Sequence, residues 1–287
     1  MPRVSRDGVS LYYERDRVEG EETVVFVEGL GVGRWLWNRQ REALAGEYDL
    51  VLPDNRGAGR SDAPLPPVVP RLPQTLRLLY FLTVGGYSAA EMAADLEAVL
   101  ADAGVERAHL VGSSMGGMVA QQYALEYDRA ASLALLSTTH GGEAAVPVPD
   151  ETREQIYETP ADATEREQIR HRMGPALTDQ FFEENPETVA QILDWRQEQD
   201  AGEVAREAQT AVGANFDVSD RLHEIDLPTL VVHGTDDQVV PVENSRLVAE
   251  KLPDARLELL EGAPHMLMVE RSAEVTERLR GFLIGQG

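Results

Sequence analysis

The run His109-Leu110-Val111-Gly112-Ser113-Ser114-Met115-Gly116-Gly117 passes without a gap from an apolar strand into a tight turn, and from Met118 to Tyr127 into helical spacing. Gly112 and Gly116 stand two residues either side of Ser114, which gives G-x-S-x-G in the strand, turn and helix setting that motif requires. Such a turn drives its serine into a strained conformation, and only very small residues two positions before and after let the backbones pass. Ser113 fails that spacing test, so Ser114 is the candidate nucleophile.

A serine hydroxyl needs a base, and six histidines are candidates: His109, His140, His171, His223, His233 and His265. His109 and His233 abut strands and His171 and His223 fall in an acidic helical stretch, where packing or surface roles are expected. His265 stands apart. Leu257-Glu258-Leu259-Leu260 reads as the last strand, and Gly262-Ala263-Pro264-His265 as the loop leaving its carboxyl end, where catalytic groups gather in parallel sheets. The base in turn needs a carboxylate to fix its tautomer, and Gly234-Thr235-Asp236-Asp237-Gln238-Val239-Val240-Pro241 follows the preceding buried strand. By position either aspartate serves. Serine, acid and histidine along the chain is the order known for a nucleophile on this type of turn.

Outward from these motifs, short apolar runs alternate with helical patterns, which places the chain in the α/β class with a mostly parallel central sheet. Predicted strands are Val9 to Val18, Thr23 to Val27, Tyr48 to Pro53, Ala131 to Ser137 and Thr229 to His233. Ser88 with Glu91 opens a helix in a capping-box pattern, and Met92, Leu96, Val99 and Leu100 face the sheet until the helix stops near Gly104. Between the last two of these strands the alternation breaks. The stretch 140–226 is helical and polar, so residues 1–139 and 227–287 are expected to form the core, with 140–226 as an acidic helical cap inserted in the same domain. A second irregular stretch, Ala63 to Gly86, is a proline-rich loop followed by the apolar run Leu76 to Leu82.

Composition narrows the function. Of 287 residues 43% are hydrophobic and 26% charged, enough to bury a core without disorder or lipid. Fifty acidic against 26 basic residues give a net charge of −24, which repels phosphate backbones and argues strongly against non-specific nucleic-acid binding. The predicted cap, with 21 acidic and 7 basic residues, carries −14 of that charge. All basic residues but Lys251 are arginine, and this balance resembles a salt-adapted, halophilic surface. The absence of cysteine excludes disulfides, thiolate zinc sites and a Cys nucleophile. The N-terminus lacks a signal-like apolar run and no stretch is long enough for a membrane span, so a cytoplasmic protein is expected.

With three motifs in this order, the chain resembles the α/β-hydrolase superfamily, in its esterase, lipase and enol-lactonase branch, over nearly its whole length. The family's G-x-x-D-x-x-x-P maps onto Gly234, Asp237 and Pro241, which implies Asp237 as the triad acid, and its G-x-x-H onto Gly262 and His265. The stretch Asp54-Asn55-Arg56-Gly57-Ala58-Gly59-Arg60-Ser61-Asp62 matches D-x-R-G-x-G-x-S-D, usually structural. The resemblance further implies an oxyanion hole built from the backbone N–H groups of Leu30 and Met115. One departure stands out: Glu28 precedes Gly29-Leu30 where the family commonly has histidine. A carboxylate there would oppose developing negative charge, so Glu28 is expected to turn away and pair with Arg34 or Arg56.

The expected function is a serine hydrolase acting on esters or lactones through Ser114, Asp237 and His265, with no cofactor and no metal. A C–C hydrolase, a thioesterase and a cofactor-free perhydrolase can use the same residues, and a non-catalytic ligand-binding fold is a further class. Trp35, Trp37 and Met266 flank the centre in sequence, which favours a small apolar or aromatic substrate. Leu79 and Phe81, in the apolar run, are expected to wall the acyl pocket beneath the cap. The competing reading of that run is a homodimer interface.

Overall fold

The computed structural model describes residues 2–157 and 162–285; residues 158–161 of the predicted cap, and 1, 286 and 287 of the predicted core, lie outside it. Eight strands form one sheet: β1 (Arg3–Arg6), β2 (Val9–Asp16), β3 (Thr23–Val27), β4 (Asp49–Pro53), β5 (Ala108–Ser113), β6 (Ala130–Leu136), β7 (Thr229–Gly234) and β8 (Ala255–Leu260). Their order is β1-β2-β4-β3-β5-β6-β7-β8. The first two pairings are antiparallel and the rest parallel. Strands β3 to β7 are buried along their whole length, which is why they read as continuous apolar runs rather than alternating ones. The edge strand β1 was not expected from sequence. Asp7-Gly8, both at positive φ (50° and 82°), make the two-residue hairpin turn that joins it to β2.

Around the sheet lie α1 (Asn38–Leu44), α2 (Gln74–Tyr80), α3 (Ala89–Asp102), α4 (Met115–Glu126), α5 (Asp150–Tyr157), α6 (Glu165–Met173), α7 (Asp179–Glu184), α8 (Pro186–Gln199), α9 (Glu203–Asn215), α10 (Glu243–Lys251), α11 (Leu267–Glu270) and α12 (Ser272–Ile284). The predicted capping box forms: Ser88 Oγ accepts from the Glu91 N–H, and the Glu91 carboxylate accepts from the Ser88 N–H. Alternate strand residues divide the core. Val25, Val27, Leu110 and Leu133 pack with Met92, Leu96 and Tyr123 of α3 and α4 on one face. Val24, Phe26, Val111 and Leu136 pack with Leu44, Leu279 and Leu283 of α1 and α12 on the other.

Helices α5 to α9 fall between β6 and β7 in sequence; α9 joins the first cluster through Ala208 and Val212, and α6 and α8 join the second through Ile169, Met173 and Ile192. The apolar run before α3 divides its residues unevenly. Phe81 is buried in the same cluster as α9, whereas Leu79 is 59% exposed and Leu76 and Leu82 are exposed with it. Leu79 therefore does not wall a pocket under the inserted helices within the monomer. The reason is Arg77, which shares a helix face with Phe81 and turns inward to Glu207 of α9 (Nε to Oε2 2.6 Å, Nη2 to Oε1 2.7 Å), so the leucines on the opposite face point to solvent.

Candidate active site

Ser114 sits between β5 and α4 with φ 54° and ψ −119°, a conformation that L-residues rarely hold. The flanking glycines permit it. A Cβ on Gly112 would lie 2.4 Å from the Gly116 carbonyl oxygen, and one on Gly116 would lie 2.2 Å from that of Val27. The end of β3 thus lies against the turn, and a Cβ on Gly29 would come within 3.3 Å of Ser114 Cβ. Leu30 follows immediately. Among the described residues neither its N–H nor that of Met115, the first residue of α4, meets a backbone or side-chain acceptor. Ser113 is the last, buried residue of β5 and takes no part in the turn.

Asp237 lies in the loop after β7 and His265 in the loop after β8. Asp237 Oδ2 accepts from His265 Nδ1 at 2.8 Å, and Oδ1 accepts from the N–H groups of Val239 and Val240, each at 2.8 Å. Its neighbour Asp236 is exposed and faces neither histidine. Burial alone would raise the Asp237 pKa, but the charge and hydrogen bonds of His265 and His233 hold it well below the usual carboxylate range. In a neutral imidazole whose Nδ1 is the donor, Nε2 holds the lone pair that a general base requires.

No hydrogen bond joins the Ser114 hydroxyl to His265 among the described residues, a common state for such pairs without substrate. Their backbones are nonetheless tied to one another at the end of β6. The Thr138 hydroxyl donates to the Ser114 carbonyl at 2.7 Å and the Ser137 hydroxyl to the His265 carbonyl at 3.0 Å. Sequence reading missed this pair, although a polar Ser-Thr-Thr run just past a buried strand, at the same edge as the other motifs, is the signal for it. It also missed what His233 does. That buried imidazole, expected only to pack, sits with Nε2 3.0 Å from Asp237 Oδ2.

Glu28 departs from expectation. Arg34 is taken by Asp54 and Glu14, and Arg56 by Asp95 and Glu91, so neither pairs with it. Glu28 is fully buried; its Oε1 accepts the Asn55 N–H at 2.7 Å, and its Oε2 has no partner. Burial first, then the nearby Asp54 carboxylate, push its pKa well above the ordinary value, and the Asn55 bond does not offset them. A neutral acid in this place costs less than a desolvated charge without an ion pair. The Asp54 to Asp62 stretch is structural, as expected: Asp54 accepts from Arg34 at 2.7 and 2.8 Å and from the Arg60 N–H at 2.8 Å.

The aromatic candidates are core residues. Trp37 is sealed against Phe26, ring centroids 5.0 Å apart. Trp35 stacks on Trp195 of α8 at 6.4 Å and donates its indole N–H to Asp200 at 2.8 Å. Met266, beside His265, is buried and donates its N–H to the Ala176 carbonyl at 2.9 Å.

Residues 22–272 match the family model described as alpha/beta hydrolase fold. The chain belongs to the α/β-hydrolase family. Similar members include RutD of Azorhizobium caulinodans, whose name provisionally assigns it to carbamate hydrolysis, 30% identical with 98% of each chain covered. A 2-hydroxy-6-oxononadienedioate/2-hydroxy-6-oxononatrienedioate hydrolase of Paraburkholderia phymatum is 29% identical, with 93% of this α/β-hydrolase and 89% of that protein covered. Among solved structures, Est816, described as an N-acyl homoserine lactone degrading enzyme, is 30% identical with a TM-score of 0.78, covering 98% of this chain and 100% of that one. Among the described residues of this α/β-hydrolase no helix is long and apolar enough to cross a membrane.

Proposed function

We propose that this α/β-hydrolase is a serine hydrolase that cleaves carboxylic esters or lactones through an acyl-enzyme on Ser114. The observation that carries the reading is the strained Ser114 turn lying beside two uncommitted N–H groups, with an Asp237–His265 pair on neighbouring strand ends. In this reading Ser114 Oγ attacks the acyl carbon, and His265 Nε2 takes the hydroxyl proton and passes it to the departing alkoxide. Water then attacks the acyl-enzyme, giving its proton to His265, and Ser114 leaves as the alcohol with the acid released. The N–H groups of Leu30 and Met115 hold the oxyanion in both steps. Asp237 keeps His265 in the required tautomer and stabilises its cation. Helices 140–226 act as a cap over this edge of the sheet and belong to one domain with the core.

A lactone-degrading structural relative at 30% identity supports the ester and lactone class. The Paraburkholderia relative makes C–C cleavage of a hydroxy-oxo-dienoate the second reading, because the same triad serves it. The test is labelling by a fluorophosphonate, followed by a panel of esters, lactones, thioesters and a dienoate 1,5-diketone in molar KCl. An adduct on the Ser114 peptide that Ser114→Ala abolishes, with turnover of esters or lactones, supports the proposal. Absence of both label and turnover would sink it, and turnover of the diketone alone would install the second reading.

A further inference from the structure

The loop 29–35 is held mainly by the inserted helices rather than by the sheet. The Gly31 N–H donates to Gln209 Oε1 at 2.7 Å, the Gly33 N–H to Asp200 Oδ1 at 3.1 Å and the Trp35 N–H to Gln199 Oε1 at 3.0 Å. The Gly31 carbonyl accepts from the Ala201 N–H at 3.1 Å. Alternate N–H groups of the loop are therefore anchored on α8, α9 and the turn between them, while that of Leu30 is left over. Gln209 is buried and satisfies both ends of its amide, because Nε2 donates to the Arg56 carbonyl at 2.9 Å. It thereby joins the Leu30 loop to the Asp54 to Asp62 stretch. Gly31, at φ 73°, has no room for a side chain, since a Cβ would lie 2.9 Å from Arg206 of α9.

We propose that Gln209 is a positioning residue for the oxyanion site: by fixing Gly31 it sets the direction of the Leu30 N–H, so the site is complete only when α8 and α9 are docked on the core. This rests on the serine-hydrolase reading and its assignment of Leu30 as a donor. Both neighbours of the Leu30 peptide unit are constrained, Gly29 against Ser114 and Gly31 by Gln209. Releasing one lets the N–H rotate away from a developing oxyanion, which weakens the transition state more than the bound substrate.

The test compares Gln209→Met, which fills the space without hydrogen bonds, with Glu207→Gln, which weakens the ion pair from the same helix to Arg77. With an activated aryl ester, Gln209→Met should lose about 10- to 100-fold in kcat with KM within about 3-fold, short of the loss of a whole donor. Affinity for a trifluoromethyl ketone, whose adduct places an oxyanion in the same site, should fall by the same factor as kcat/KM. Glu207→Gln should lower Tm while leaving kcat and ketone affinity unchanged. A Gln209→Met enzyme with wild-type kcat and ketone affinity overturns the proposal, as does an equal loss in Glu207→Gln. Should Gln209→Met not fold, Gln199→Met, which frees the Trp35 N–H, carries the same pattern at smaller size and the same overturning result. Failure of the underlying reading is visible separately, because wild-type protein would then take no fluorophosphonate label at Ser114.

Discussion

His233 holds its Nε2 3.0 Å from Oδ2 of Asp237, the same oxygen that accepts from His265. Its Nδ1 lies against the Ser245 hydroxyl, and its Nε2, also 2.8 Å from the Val240 carbonyl, has only acceptors before it and therefore carries a hydrogen shared between that carbonyl and the acid. Replacing His233 by Phe removes that donor from the acid and should lower kcat on an activated ester, by less than the loss of the acid itself. Loss of the buried bonds should cost about 1–3 kcal/mol in urea unfolding. An unchanged kcat would reduce His233 to packing.

Asp237 and Asp236 are adjacent in sequence, yet only the first is buried and bonded to His265. Asp237→Asn should lower kcat by about 10⁴-fold, since an amide favours the wrong imidazole tautomer. Asp236→Asn should stay within about 3-fold of wild type. Steady-state kinetics on one activated ester decides it, and the reverse ranking would reassign the acid.

Backbone strain at Ser114 gives a separate, non-kinetic test. Ser114→Gly should abolish turnover and raise stability by about 1 kcal/mol, the relief of a conformation costing about 1–3 kcal/mol less glycine's greater unfolded-state entropy. Ser114→Ala keeps the Cβ, so it should abolish turnover without that gain. Equal melting temperatures for the two variants would mean that the turn stores no strain.

Glu28 should leave its mark on stability against pH. Its folded pKa lies well above the ordinary 4.5, so between those two values the folded state keeps a proton that the unfolded chain has lost. Raising pH through that window therefore favours unfolding. Glu28→Gln keeps the acceptor for the Asn55 N–H and removes the titration. Its Tm should gain on that of wild type as pH rises from 4.5, and parallel curves would show that Glu28 is already ionised in the folded protein.

The apolar run before α3 offers a paired contrast. Phe81 is 1% exposed and Leu79 59%, two residues apart. Phe81→Ala should cost about 3–5 kcal/mol in chemical unfolding, whereas Leu79→Ser should lie within about 0.5 kcal/mol of wild type. A large loss at Leu79 would mean that its side chain is covered in solution.

Much of the scaffold and the candidate triad was legible in the sequence because those features are local. A strand, a glycine-flanked turn and a helix around Ser114 follow from backbone sterics and periodicity within a dozen residues. The loops carrying Asp237 and His265 follow from turn residues placed directly after apolar runs. Even β1 was within reach, through the Asp7-Gly8 turn. What tertiary structure alone decided is how side chains choose partners. Arg34 and Arg56 went to Asp54, Glu14, Asp95 and Glu91, leaving Glu28 buried without an ion pair, because guanidinium groups pair with the carboxylates that folding brings nearest. Arg77 turned inward to Glu207, 130 residues away, and so sent Leu79 to solvent. Gln209, 178 residues from Gly31, has no pattern that points to its partner. Local order is set by neighbours along the chain, whereas the burial and competition that settle a polar side chain's partner exist only once distant segments have met.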